Sequence, residues 1–331
     1  LALSPAGATV GRLIGRALGV RHAAPALFSL PAPGRLLVSG PGGTWTIAAN
    51  GSARRIGRWS AASWSPHGRY LAVTDRDAVA AVNPRGVVQW ALARPDVSDL
   101  RWYSPTGYRL AYLSGGALRV LAGDGTGDHL LAVDVAHVAP AWRPGHPYQL
   151  AYMTAAGRLV VRDGDTGATL WSARPRTCVR RLAWSADGER LLVLSRTRVL
   201  VYAADGRLIT HRPAPGGGQI VDGALSPDGR IVALISGGPS SGAILERLTA
   251  PESAGRRVLA GVGLGQVEWS PNGRWLLVNW PAADQWVFVR VAGRPRIAAV
   301  SNIARQFATR GASGTHQRLE GWCCAAAGAR R

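Results

Sequence analysis

Short apolar runs, each led in by a Pro/Gly turn, recur along this chain from Gly34 to Gly273. The clearest turns are Trp64-Ser65-Pro66-His67-Gly68, Trp102-Tyr103-Ser104-Pro105-Thr106-Gly107, Trp184-Ser185-Ala186-Asp187-Gly188, Leu225-Ser226-Pro227-Asp228-Gly229 and Trp269-Ser270-Pro271-Asn272-Gly273. In Ser226-Pro227-Asp228-Gly229, Pro227 presets φ, Asp228 tolerates the bridge region and Gly229 takes positive φ without a Cβ clash, the chemistry of a type I turn. The run that follows, Arg230-Ile231-Val232-Ala233-Leu234-Ile235, is apolar and β-branched, as for a strand covered on both faces. Other units go on into a second hairpin: Leu159-Val160-Val161-Arg162, then Asp163-Gly164-Asp165-Thr166-Gly167, then Ala168-Thr169-Leu170-Trp171. The pattern therefore predicts four strands per unit.

The turn glycines Gly34, Gly68, Gly107, Gly188, Gly229 and Gly273, with His146 of Trp142-Arg143-Pro144-Gly145-His146 taking one place, are spaced by 34, 39, 39, 42, 41 and 44 residues. A period near 40 with several short strands per unit is the signature of propeller blades, which bury their faces only by stacking radially. The expected fold is all-β: a β-propeller of four-stranded antiparallel sheets over residues 26–300. It has seven blades if Leu27–Gly34 and the strands Arg35–Val38 and Trp45–Ala48 form a first unit, and six if that stretch is only a lead-in. Residues 1–25 are expected to be a linker with a short basic amphipathic helix over 10–20, packed on the domain edge or lying on a membrane surface. Residues 301–331 form a tail in which Ile303-Ala304-Arg305-Gln306-Phe307 is the candidate closing strand.

The Trp-Ser-Pro-x-Gly turn followed by a strand such as Tyr70-Leu71-Ala72-Val73 resembles the TolB-like, WD-type β-propeller repeat, over most of the chain. Leu225 in place of Trp and Ala186 in place of Pro depart from it. The resemblance implies protein partners bound through one propeller face and an extracytoplasmic place in the bacterial cell envelope.

Charge adds a second constraint. The 331 residues carry 39 basic and 19 acidic side chains, a formal +20, and every basic one is Arg. Such an excess favours anionic surfaces, whether phospholipid, nucleic acid or an acidic protein. Arg35, Arg69, Arg109, Arg190, Arg230 and Arg274 all follow the turn. On radially arranged blades they fall on one ring near one face, a candidate guanidinium band for carboxylates or phosphates. The alternative is that each Arg simply solvates its hairpin. Nucleic-acid binding rests on charge alone and lacks the aromatic-plus-basic motifs of known modules.

Catalytic and metal patterns are weak. Gly238-Pro239-Ser240-Ser241-Gly242 matches a nucleophile elbow in letters, but it falls in a blade hairpin with too little chain after it for a hydrolase domain. Asp163–Trp171 lacks the closing Glu of a calcium loop and echoes one quinoprotein-type repeat; it reads as an Asx/Gly hairpin with Trp171 docked between blades. The seven His have no metal-ligand spacing, and the carboxylates are scattered singly. No metal or cofactor is expected. Cys323 and Cys324 are the candidate disulfide, as a vicinal pair or with one of them reaching Cys178; three Cys make no disulfide framework. No run of about 18 apolar residues appears, and Leu1–Ala8 reads as the tail of a removed signal or anchor.

The function expected is a non-enzymatic platform that binds a protein, an acidic one by charge, or a ligand, beside an anionic membrane surface. The alternative is a propeller enzyme or accessory domain, peptidase-associated, quinoprotein-like or lyase, with its site at the central channel.

Overall fold

The computed structural model describes residues 21–24, 29–238, 241–248, 255–307 and 317–324. Seven sheets stand around one axis. From the axis outward, blade 1 holds Arg318–Cys323, Arg35–Gly40, Gly43–Ile47 and Ala53–Gly57, and blade 2 holds Ala61–Trp64, Leu71–Thr74, Ala78–Val82 and Val88–Ala93. Blade 3 holds Val97–Trp102, Arg109–Ser114, Ala117–Ala122 and His129–Ala132; blade 4 holds Ala141–Trp142, Gln149–Met153, Leu159–Asp163 and Thr169–Ala173. Blade 5 holds Val179–Trp184, Arg190–Ser195, Arg198–Ala203 and Leu208–Pro213; blade 6 holds Gln219–Leu225, Ile231–Gly237, Gly242–Arg247 and Arg256–Ala260. Blade 7 holds Val267–Trp269, Trp275–Trp280, Gln285–Arg290 and Arg296–Ser301, and Arg21–Ala24 adds a fifth, parallel strand to its outer edge.

The first unit is thus a full blade, but its inner strand comes from the other end of the chain. Arg318–Cys323 pairs antiparallel with Arg35–Ser39 and touches the inner strands of blades 2 and 7, which closes the ring. Ile303–Gln306, expected to be that strand, is a helical turn instead. Asn302 turns the chain at φ 59°, and Asp284 holds the turn through its Oδ1, which accepts from the Ala304 N–H at 2.7 Å. The turn delivers Phe307 into the seam between blades 7 and 1, against Trp45 and Trp286. The helix expected over 10–20 lies outside the described residues.

The core is not one mass but seven clusters, one per seam between adjacent blades. The second strands explain why: Leu36–Val38, Leu71–Val73, Leu191–Val193 and Leu276–Val278 are fully buried on both faces. No blade could bury these runs alone, so sheet formation and radial stacking are one process. The outer strands, such as Val88–Ala93 and Thr169–Ala173, alternate between exposed and half-buried positions because one face meets water.

Each Trp-Ser-Pro-x-Gly turn is a hydrogen-bonded unit in which the serine matters most. Ser65, Ser185, Ser226 and Ser270 are buried, and each Oγ accepts at 3.0 Å from the backbone N–H five residues on. In three of them the same hydroxyl donates to the Asp or Asn two residues later. The turn glycines have φ between 61° and 77° at Gly68, Gly107, Gly188, Gly229 and Gly273. In the fourth blade the left-handed position is Gly145, at φ 72°, rather than His146. The turn tryptophans join blades: Trp142, Trp184 and Trp269 donate Nε1–H to the carbonyls of Arg101, Ala141 and Ala224 in the preceding blade, at 2.8, 3.1 and 2.9 Å. Ser270→Ala, which strips the buried Trp275 N–H of this partner, is expected to cost about 1–3 kcal/mol by urea denaturation.

The other letter-level motifs take plain structural roles. Gly242 opens a strand that pairs antiparallel with Ile231–Gly237 in blade 6, where a nucleophile elbow would open a helix. Asp163 accepts from the N–H groups of Asp165 and Thr166, and Trp171 donates to the Ala204 carbonyl of blade 5 and stacks on Tyr202.

Candidate functional site

The turns that join first and second strands all emerge on one face, and the six arginines after them share that face. They do not share one environment. Arg35 donates to the Gly68 carbonyl of blade 2 at 2.6 Å and lies over Trp64. Arg109 forms a two-bond pair with Asp165 of blade 4, at 2.7 and 2.8 Å, and lies over Tyr148. Arg190 is half-buried, 3.9 Å from Asp187. Arg143, outside the expected set, repeats the device: its Nε donates to the Gly188 carbonyl of blade 5 at 2.6 Å. Arg35, Arg109 and Arg143 fasten one blade to the next, whereas Arg190 faces an acid of its own turn. Arg69, Arg230 and Arg274 stand exposed on the same face and make no side-chain hydrogen bond or ion pair among the described residues.

Cys323 and Cys324 end the closing strand, their sulfurs at bonding separation from each other. Both sulfurs lie against the Ser65 and Pro66 carbonyls of blade 2, with Cys324 Sγ 3.1 Å from Pro66 O. Cys178 is exposed and stands apart from them.

A central channel was expected from the fold, but the charged residues that line it were not. All seven inner-strand segments line it, and they bring in Asp99, Arg101, His137, Arg180, Arg181, Asp222, Glu268, Arg318 and Glu320. Register shifts in the inner strands of blades 1, 3, 5 and 6 fall beside Glu320, Asp99, Arg180 and Val221, and Asp99 has φ 55°. Such bulges re-aim side chains. Arg181 bridges Asp222 at 2.8 Å and Glu268 at 3.0 Å, and Arg318 pairs with Glu320 at 2.7 Å.

Burial pushes the Glu268 carboxyl up despite Arg181, and burial likewise raises Glu320 despite Arg318. The two acids hold Arg181 above its usual range, Asp222 most of all, whereas enclosure by protein lowers Arg101. Arg101 is open to channel water even so. The signal was there to read: Asp99-Leu100-Arg101-Trp102, Arg180-Arg181-Leu182-Ala183-Trp184 and Arg318-Leu319-Glu320-Gly321-Trp322 put charge just before the turn tryptophan. An inner strand tolerates charge there only because the axis is open to water. Among the described residues no group of three His, Cys, Asp or Glu could hold a metal ion.

Arg181→Gln would leave Asp222 and Glu268 facing each other without a cation. A fully buried pair broken this way costs about 3–5 kcal/mol. The channel is wet, so roughly 1–2 kcal/mol is expected by urea denaturation. Adding Glu268→Gln is expected to recover part of it.

Two comparisons by sequence, with family models and with curated proteins, give no match. Solved structures do. Hsv2p of Kluyveromyces lactis superposes with a TM-score of 0.61 at 12% identity, covering 85% of this chain and 96% of that one. A chain of the mitotic checkpoint complex gives 0.59 at 17% identity, covering 73% and 77%. The Cps50 (Swd1) β-propeller domain of Myceliophteria thermophila gives 0.55 at 14% identity, covering 74% and 87%. At these identities the likeness is one of fold. The chain is a seven-bladed β-propeller.

Proposed function

We propose that this propeller is a non-enzymatic interaction platform of the bacterial cell envelope, as its TolB-like turns imply, binding an acidic protein partner through its turn face. The observation that carries the reading is the split among the turn-face arginines. Arg35, Arg109 and Arg143 are consumed in holding neighbouring blades, which makes the face rigid, while Arg69, Arg230 and Arg274 remain free to meet a partner. A rigid, positively charged face favours association with acidic surfaces and loses little freedom on binding. One structurally similar chain belongs to a multi-protein assembly, the mitotic checkpoint complex, so the fold is compatible with this use. The TolB-like turns imply an extracytoplasmic place, and the net positive charge agrees with a position beside an anionic membrane.

The test is site-specific photocrosslinking in the native host, with the photoreactive residue at Arg69, Arg230 or Arg274. One recurrent acidic partner in the envelope fraction is the expected result. Crosslinks confined to cytoplasmic proteins, or none that differ from a probe on the opposite face, would count against it.

A second reading places an enzyme site in the channel, and the raised carboxyls of Glu268 and Glu320 beside Arg101 favour it. The present geometry spends those charges on one another, since Arg181 and Arg318 already engage three of the four carboxylates.

A further inference from the structure

Among the exposed large apolar side chains of the described residues, two are aromatic: Tyr70, 43% exposed, and Tyr108, 64% exposed. They belong to adjacent blades, and both line one cleft of about 890 Å³ between blades 2 and 3 on the turn face. An exposed aromatic pair in one concavity marks a binding surface more than a solvated one.

The floor of this cleft is built. Trp102 presents its ring between Gly107 and Gly123, and a Cβ at Gly123 would stand 2.4 Å from the Gly107 carbonyl oxygen and 3.2 Å from that ring. Trp90 lies alongside; its Nε1–H donates to the Gly123 carbonyl at 3.0 Å, and its ring covers the hairpin at Gly125. Both indoles are fixed before anything binds, so little ordering remains to oppose association.

Charge on the rim is uneven. Arg109 is held by Asp165, and Asp124 accepts from the N–H and hydroxyl of Thr126. His67 and Arg69, on the blade 2 side, are exposed, and Arg69 has no ion-pair partner among the described residues. The corresponding cleft between blades 6 and 7, about 490 Å³, surrounds Trp269 with Ile231, Asp228, Asn272 and Arg256 and has no exposed aromatic. The aromatic pair is therefore a property of one seam and not of the repeat.

We infer that the cleft between blades 2 and 3 seats an extended segment of a protein partner, with one aromatic or large aliphatic side chain entering between Tyr70 and Tyr108 onto Trp102. An Asp or Glu next to that anchor meets Arg69. The inference rests on the platform reading and gives it a place and a partner chemistry. A cleft of this volume takes a few side chains, and Trp, Tyr and Arg are the residue types that dominate binding energy at interfaces.

The test uses the intact chain, panned against a displayed library of short random peptides, with the recovered consensus measured by fluorescence anisotropy. The expected consensus sets an acidic residue beside an aromatic or large aliphatic one. Its affinity should fall at least ~10-fold in Tyr108→Ser and in Arg69→Gln, and stay unchanged in Arg196→Gln, in an exposed hairpin of blade 5 on the opposite face. Arg69→Glu paired with an acid-to-Lys change in the peptide should restore binding. All three side chains are exposed, and circular dichroism confirms that each variant folds. A consensus that ignores Tyr108→Ser and Arg69→Gln overturns the cleft assignment and leaves the platform standing. No consensus at all overturns both.

Discussion

Ending the chain after Gln317 is expected to abolish the cooperative fold, the largest effect any change described here should have. The lost segment, Arg318–Cys323, is the innermost strand of blade 1, and its Leu319 and Trp322 are buried in the seam with blade 7. Without it, the Arg35–Ser39 backbone loses its inner ladder, Phe288 loses its edge-on contact with Trp322, and the ring of inner strands is open between blades 2 and 7. A domain of this kind is stable by only about 5–15 kcal/mol in total, and one exposed seam is enough to exhaust that. Thermal unfolding followed by circular dichroism should show no sigmoidal transition for the truncated chain. A melt within a few degrees of the full chain would mean that three strands suffice for blade 1.

Asp128→Ala should be the most damaging single substitution. Asp128 is 6% exposed and accepts from Arg94, Arg119 and the Tyr112 hydroxyl, so it ties the outer edge of blade 2 to blade 3. Removing it strands two guanidiniums and a phenol. The two arginines keep some contact with water, so the cost is expected near 2–4 kcal/mol, toward the lower part of the range for broken buried pairs.

The same group sets a pH signature. Burial alone would raise the Asp128 carboxyl, but the hydrogen bonds from Arg119, Tyr112 and Arg94 outweigh it and hold the group below its ordinary value. A depressed folded value means that the stabilisation is complete above the unfolded value of about 3.9 and is lost as pH falls through the lower folded one. Glu246, Glu268 and Glu320, raised by burial, act in the opposite sense: they take up protons more readily folded than unfolded, so acidification to about pH 4.3 favours the fold through them. Wild-type stability should therefore hold from neutrality to about that pH and drop below it, and Asp128→Ala should shrink the drop. Tyr112, pushed up to about 12 by burial first and Asp128 second, should fall in the variant yet stay above 10 in a spectrophotometric titration.

The repeat was readable because its causes are local. A Ser-Pro-x-Gly turn dictates its own geometry, and a β-branched run after it has no stable use other than a covered strand, so strand count per blade followed from spacing while blade number was narrowed to seven or six. Closure was harder. Ile303–Phe307 looks like a strand in composition, but the decision belonged to Asn302 and Asp284, whose roles exist only once blade 7 is assembled.

The arginine positions after the turns were likewise legible, and their division was not. Whether a guanidinium is spent depends on what the next blade offers: a carbonyl for Arg35, a carboxylate for Arg109, nothing for Arg69. The serine of the turn went unread although it stands in all five clear copies, because in four of them its hydroxyl acts on a backbone N–H five residues away. The aromatic cleft needed the ring order, which sets Tyr70 beside Tyr108 across a seam.

The four strands of blade 1 come from two distant parts of the chain, whereas the four core strands of every other blade are drawn from one stretch of it. A circular permutant separates these two facts. If Cys324 is linked back to Ser29 and the chain is reopened between blades 2 and 3, every pairing within the seven four-stranded blades survives and only that of Arg21–Ala24 with Arg296–Ser301 is lost, yet each blade now comes from one uninterrupted stretch. Against a linear chain running from Ser29 to Cys324, such a permutant has the same blade contacts with no interlock, so any acceleration of its unfolding rate measures what tying the ring with both ends contributes to its lifetime.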